Sequence, residues 1–195
     1  MLWNEAAFGL VGGPGDEVGV RALPAAVREW YRFGGDERMA AVCRDNRVTR
    51  LAGLRCDGGP LVLESDGQGC GDWTVDPDSP LDDPPVLFGG SRYADHFSEY
   101  VFARLWETSL WRERGTLTEF DHRLPDGAIA ALGGWLRPLP ATYGWALNQP
   151  CDVTYRFEGE ARVAVAVSGG VALWSVVSAG SEQVRENFAR MVGAR

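Results

Sequence analysis

Pro60-Leu-Val-Leu-Glu-Ser-Asp-Gly-Gln-Gly-Cys-Gly-Asp-Trp-Thr-Val-Asp-Pro-Asp-Ser-Pro-Leu-Asp-Asp-Pro-Pro-Val-Leu-Phe88 reads as two strands, an acidic proline-rich loop and a third strand. Leu61–Glu64, Gly71–Val75 and Val86–Phe88 are short apolar runs, rich in Val and aromatic residues and bounded by glycine, proline and aspartate. Ser65-Asp66-Gly67-Gln68-Gly69 joins the first two, and its glycines supply positive φ for a tight reversal. The same stretch concentrates the charge. Between Cys56 and Ser91 stand eight acids (Asp57, Glu64, Asp66, Asp72, Asp76, Asp78, Asp82, Asp83) and no base. The other 19 acids balance the 19 bases, so the whole formal −8 lies in this one segment.

Outward from it, helical signals come first. Leu23, Val27, Trp30 and Tyr31 recur at helical spacing with Pro24 in the first turn, and Gly34-Gly35 ends the run. Glu37–Arg44 predicts a second helix with Met39, Val42 and Cys43 inward. Nearer the start, Leu2–Leu10 holds Trp3 and Phe8 and predicts a short helix before Gly12-Gly13-Pro14-Gly15. That glycine run has neither the spacing nor the Lys of a phosphate loop and reads as a connector. Beyond the acidic stretch, about Asp95–Arg112 predicts a long helix with Phe97, Val101 and Leu105 on one face and Tyr100, Trp106 and Trp111 beside them.

From Thr116 to Pro150 proline and glycine interrupt every pattern, leaving an irregular segment with one short helix near Gly127–Leu132. Val153–Phe157, Arg162–Val167 and Val171–Val177 then predict three strands with turns at Glu158-Gly159 and Gly169-Gly170. In the middle strand Val163, Val165 and Val167 alternate with Ala164 and Ala166, giving one bulky face and one small enough for a close neighbour. Ser181 caps a last helix reaching about Val192, with Val184 and Phe188 inward. This order predicts an α+β fold with a mainly antiparallel sheet wrapped by helices. It is read as a single domain over 1–195, with 1–22 as an N-terminal extension and 116–150 as an irregular insert.

Composition excludes several classes. Apolar residues make up 45% of the 195 positions, enough for a packed core. Every base is arginine, a pattern that GC-rich codon usage explains better than a demand for guanidinium groups. With no basic patch, nucleic acid and anionic membranes are poor partners, because both need clustered positive charge. A basic protein partner fits better. Cys43, Cys56, Cys70 and Cys151 form no C-x-x-C pair and only His96 and His122 are present, so neither a zinc site nor any cofactor is expected, and the thiols read as reduced. The start lacks a signal-peptide pattern and no apolar run approaches the ~18 residues of a membrane span, so a cytoplasmic location is expected.

Four motifs in order resemble the SUKH superfamily of Smi/Knr-like domains. Leu23-Pro24-x-x-Val27-x-x-Trp30-Tyr31-x-Phe33-Gly34-Gly35 is similar to its first helix, and Arg44-Asp45-Asn46-Arg47 leading to Leu61-Val62-Leu63-Glu64 is similar to its approach to the first strand. Asp66-Gly67-Gln68-Gly69 followed by Trp73 resembles its Glu-Asn-Gln-Gly turn and tryptophan strand. Asp82-Asp83-Pro84-Pro85-Val86 before Phe97-Ser98-Glu99-Tyr100 resembles its Asp-Pro-Pro-Val stretch and Phe-Ser-Glu helix. The likeness spans about Leu23 to Trp111. Gly67 stands where the family turn usually has Asn. The resemblance implies a SUKH-like sheet wrapped by helices, no catalysis, and, for many bacterial members, an immunity protein that neutralises a cognate toxin; others are regulatory modules.

On this reading the partner-binding residues are Asp66, Gln68, Asp72, Trp73, Asp76, Asp78, Asp82 and Asp83, with the two acidic loops at one edge of the sheet and a basic toxin domain as partner. The competing readings are an ordinary solvated acidic loop, and a Trp73 that belongs to the core rather than to a hot spot. An EF-hand fails in Asp76–Asp83, because Pro80 occupies its third ligand position and both the glycine and the terminal Glu are missing. A thiol enzyme built on Cys70, with His96 or His122 as base, is the remaining catalytic alternative.

Overall fold

A computed structural model describes residues 23–43, 45–54, 58–112, 117–120, 123–146 and 149–193. The helix expected within 2–10 lies outside these residues, as do Cys56, Asp57 and His122. The fold is α+β, but it holds two antiparallel sheets where the sequence suggested one. In the first, β1 (Arg47–Val48), β2 (Leu61–Ser65), β3 (Asp72–Val75), β4 (Val86–Phe88) and β5 (Ser91–Ala94) follow one another as a meander. In the second, β6 (Leu117–Phe120), β7 (Arg137–Ala146), β8 (Gln149–Glu158), β9 (Ala161–Ser168) and β10 (Val171–Ala179) lie in the order β6-β10-β9-β8-β7.

Five helices complete the described structure: α1 (Ala25–Arg32), α2 (Gly35–Val42), α3 (Phe97–Arg112), α4 (Ala128–Trp135) and α5 (Glu182–Met191). In the first sheet Leu63, Trp73, Val75, Val86, Phe88 and Tyr93 point inward and share a core with Val27 and Tyr31 of α1, Met39 of α2, and Phe97 and Tyr100 of α3. The opposite face, where Val62, Thr74, Leu87 and Arg92 stand in register, is partly exposed.

The second sheet is covered on both faces. Val163, Val165 and Val167 cluster with Leu132 of α4 and Phe188 of α5, while Ala164 and Ala166 cluster with Trp106 and Leu110 of α3. The close neighbour that small alanines permit is α3. That helix serves two cores, with Phe97 and Tyr100 in the first and Trp106 and Leu110 in the second. The β9–β10 turn uses Gly169 and Gly170 at φ 57° and 75°, the pair of left-handed residues that a two-residue hairpin turn requires. The Ser181 hydroxyl accepts the Val184 N–H at 3.3 Å, capping α5 as its sequence predicts.

The segment 116–150 is not an irregular insert, for it contributes β6, α4 and the ten-residue β7. Pro138, Pro140 and Gly144 conceal β7 from a pattern reading. Proline is tolerated there because β7 is an edge strand, and the ladder with β8 slips between Leu139 and Thr142 and again between Tyr143 and Gly144. At Gly144 (φ 76°) a Cβ would stand 3.5 Å from the Arg92 carbonyl, where β7 comes against β5. Among the described residues no helix is long and apolar enough to cross a membrane.

Candidate functional site

The seven described acids of the segment fall into three environments, the β2–β3 turn, the β3–β4 loop and the buried interior, rather than one patch. The β2–β3 turn and the β3–β4 loop lie at opposite ends of β3, four residues of strand and so about 13 Å apart. The expected common edge is therefore absent.

At the turn end, Asp66 is 8% exposed and its carboxylate accepts the N–H groups of Gln68 (3.0 Å) and Cys70 (3.1 Å). It organises the turn and is not available to a partner. Gly69 has φ 78°, as a tight reversal requires, whereas Gly67 serves close approach: a Cβ there would stand 1.7 Å from the Asp45 carbonyl oxygen. The side chain that the family turn offers at this position has no room here. Gln68 and Asp72 remain exposed.

Trp73 is 1% exposed, packed on Phe88 at 4.5 Å between ring centroids, and covered by the Arg104 guanidinium 4.5 Å above its ring. The assignment of Trp73 as an interface anchor is corrected: strand alternation turns it inward with Val75, opposite Phe88 of β4.

The second environment of acids is the β3–β4 loop. Its backbone is bound at both ends of the acidic run. The Asp76 carboxylate accepts the Asp78 N–H at 3.0 Å. The Asp82 carbonyl accepts the Ala26 N–H at 2.8 Å, at the start of α1. The Asp83 carboxylate accepts the Ser98 N–H at 3.0 Å and the Ser98 hydroxyl at 2.6 Å, capping α3 from outside the helix. Asp83 is thus half-committed to structure. Asp76, Asp78 and Asp82 are exposed, and none has a described arginine within ion-pair distance. Between them Leu81 is 55% exposed, a large apolar side chain among carboxylates.

Glu64 belongs to none of this surface. A bulge between Val62 and Glu64 turns Leu63 and Glu64 both inward, where Glu64 is fully buried. Its carboxylate accepts from Arg104 Nη2 (2.7 Å), Arg104 Nε (3.0 Å), Asn46 Nδ2 (2.8 Å) and the Tyr100 hydroxyl (3.0 Å). Arg104 Nη1 continues to Glu107 at 2.8 Å, and Glu107 binds Arg156 of β8, which also donates to Thr142 of β7 at 2.8 Å. Two acids and two bases thus alternate from the first sheet, through α3, to the second.

Burial alone would raise the Glu64 carboxyl, but the Arg104 guanidinium with the Asn46 and Tyr100 donors outweighs it and holds Glu64 below its ordinary value. Burial, and then the charge of Glu107, push Tyr93 up to about 12. Sequence reasoning missed Arg104, Glu107 and Arg156. One signal was present: Glu107 falls on the stripe Tyr100, Ala103, Glu107, Leu110, whose other members are apolar and buried.

The catalytic alternative gains nothing from this geometry. Cys70 sits at the turn end, and His96 at the loop end with its Nδ1 3.3 Å from the Asp83 carbonyl. Local desolvation and then the Asp66 carboxylate raise the Cys70 thiol, the opposite of what a nucleophile needs. Among the described residues no three His, Cys, Asp or Glu side chains gather to hold a metal ion. A groove of about 430 Å³ runs beside β1 and β2, bordered by Arg47, Thr49, Pro60, Val62, Ser65 and Asp72, and neither Cys70 nor His96 lines it.

No family model matches the chain, and no curated protein or solved structure matches it.

Proposed function

We propose that the chain is a non-catalytic binding domain, an immunity protein that neutralises a basic toxin domain through the loop Asp76–Asp83. The observation that carries this reading is the loop itself: three exposed carboxylates without a described counter-ion surround an exposed leucine on a backbone tied to two helices. Such a surface steers a positively charged partner by long-range attraction and offers it an apolar foothold. The immunity role comes from the SUKH resemblance between Leu23 and Trp111. The interface is narrower than the sequence suggests, resting on Asp76, Asp78 and Asp82, with Gln68 and Asp72 outside it and Asp66 and Trp73 inside the fold.

The test is co-expression with the toxin encoded next to this chain's gene. The wild-type chain restores growth, and Asp76→Arg/Asp78→Arg/Asp82→Arg, checked for native circular dichroism, does not. Equal rescue by the folded triple variant would overturn the loop as the contact. If no neighbouring toxin exists and a host protein is captured through the same loop, the regulatory-module reading replaces immunity.

A further inference from the structure

The apolar side chains form separate clusters, one under the first sheet and two on the faces of the second. Three things cross between the sheets: α3, the edge where β7 comes against β5 with the Tyr143 hydroxyl donating to Asp95 at 3.4 Å, and the buried chain Glu64–Arg104–Glu107–Arg156. The chain is balanced in charge, its members are 0–12% exposed, and each end is fastened by a neutral donor or acceptor, Asn46 and Tyr100 at Glu64 and Thr142 at Arg156. Apolar contact is non-directional, so a seam filled only by leucines would tolerate sliding or rotation of one sheet over the other. A guanidinium bound along two of its edges to fixed carboxylates does not. Arg104 meets Glu64 through Nε and Nη2 and Glu107 through Nη1, and its face lies on Trp73.

We propose that this chain is a registration device: it fixes the second sheet against the first and makes the two open as one unit, although their apolar cores are separate. Buried ion pairs often add little net stability over apolar replacements of similar volume, so its selective value lies in positional uniqueness. Neutral groups pack against it: Trp73 on Arg104, Asn46 and Tyr100 on Glu64, Tyr93 of β5, Thr142 of β7, and the thiols of Cys43 and Cys151, both raised by burial.

The experiment is hydrogen exchange read by mass spectrometry through a urea titration of the full chain, following peptides from Leu61–Val75 and from Arg162–Val177. In wild type both peptide sets become exchangeable at one midpoint. In Glu107→Met/Arg156→Met, which removes one charge of each sign at similar volume, the midpoints separate. Val165→Ala, a cavity in the core of the second sheet away from the chain, lowers the shared midpoint without splitting it. Coincident midpoints in the double variant, or a split of the same size in Val165→Ala, would overturn the proposal. Should the double variant not fold, Glu107→Asp keeps the charges and withdraws the carboxylate by one methylene; it gives a smaller split, and a single midpoint there likewise overturns the proposal.

Discussion

Glu64 and Asp78 stand in the same base-free run of sequence and do unlike things. Glu64 lies beside Trp73, buried against α3 with both carboxylate oxygens engaged, while Asp78 is exposed and its carboxylate has no described partner. Formal charge is the same in both, and what separates them is a one-residue bulge in β2 that turns two consecutive side chains to one face. Counting acids along a chain therefore overstates the surface field whenever irregular pairing draws one of them inside.

The comparison is tested most severely at Glu64. Glu64→Gln leaves Arg104 buried with half its partners, and breaking a buried pair in this way costs about 3–5 kcal/mol, measured as a lower urea midpoint at unchanged slope. The pH dependence follows with a definite sign. Because Glu64 is held below the ordinary value of about 4.3, its contribution is complete above that pH and is lost as the pH falls through the lower folded value. Acid should unfold wild type more steeply than Glu64→Gln; equal slopes would show that the pair does not govern acid stability.

Gly67→Asn comes next, since it restores the residue usual in the resembled turn. With the Asp45 carbonyl 1.7 Å from the new Cβ, overpacking lowers stability by about 1–3 kcal/mol, read by thermal unfolding. Asp83→Ala is smaller, about 0.5–2 kcal/mol for a lost helix cap, and hydrogen exchange in the first turn of α3 localises it. Smallest of all is Asp76→Asn/Asp78→Asn/Asp82→Asn, within about 0.5 kcal/mol of wild type in stability. In the same variant the salt dependence of partner binding flattens, which separates the interface role from any structural one.

Much of the fold was legible because certain residues have few alternatives. Pro24 with Gly34-Gly35 bracketed α1, Gly169-Gly170 set a hairpin, Ser181 capped α5, and the Val/Ala alternation of β9 announced unequal layers on its two faces. The strand β7 was not legible, since Pro138 and Pro140 are acceptable only on an edge and a single sequence does not reveal which strand is outermost. Nor was the second sheet, because hairpin spacing fixes neighbours and not where one meander stops. At the site, the loop aspartates were readable as charge, but Trp73 and Asp66 were misplaced because direction depends on register and turn bonding. Nothing in the sequence marks Arg104 or Arg156, because only tertiary contact matches them with their acids.

The ties from Asp82 to Ala26 and from Asp83 to Ser98 have a kinetic consequence. A segment already moulded before encounter forfeits little disorder when it is gripped, so loosening either fastening should shorten the lifetime of a complex far more than it slows the first collision.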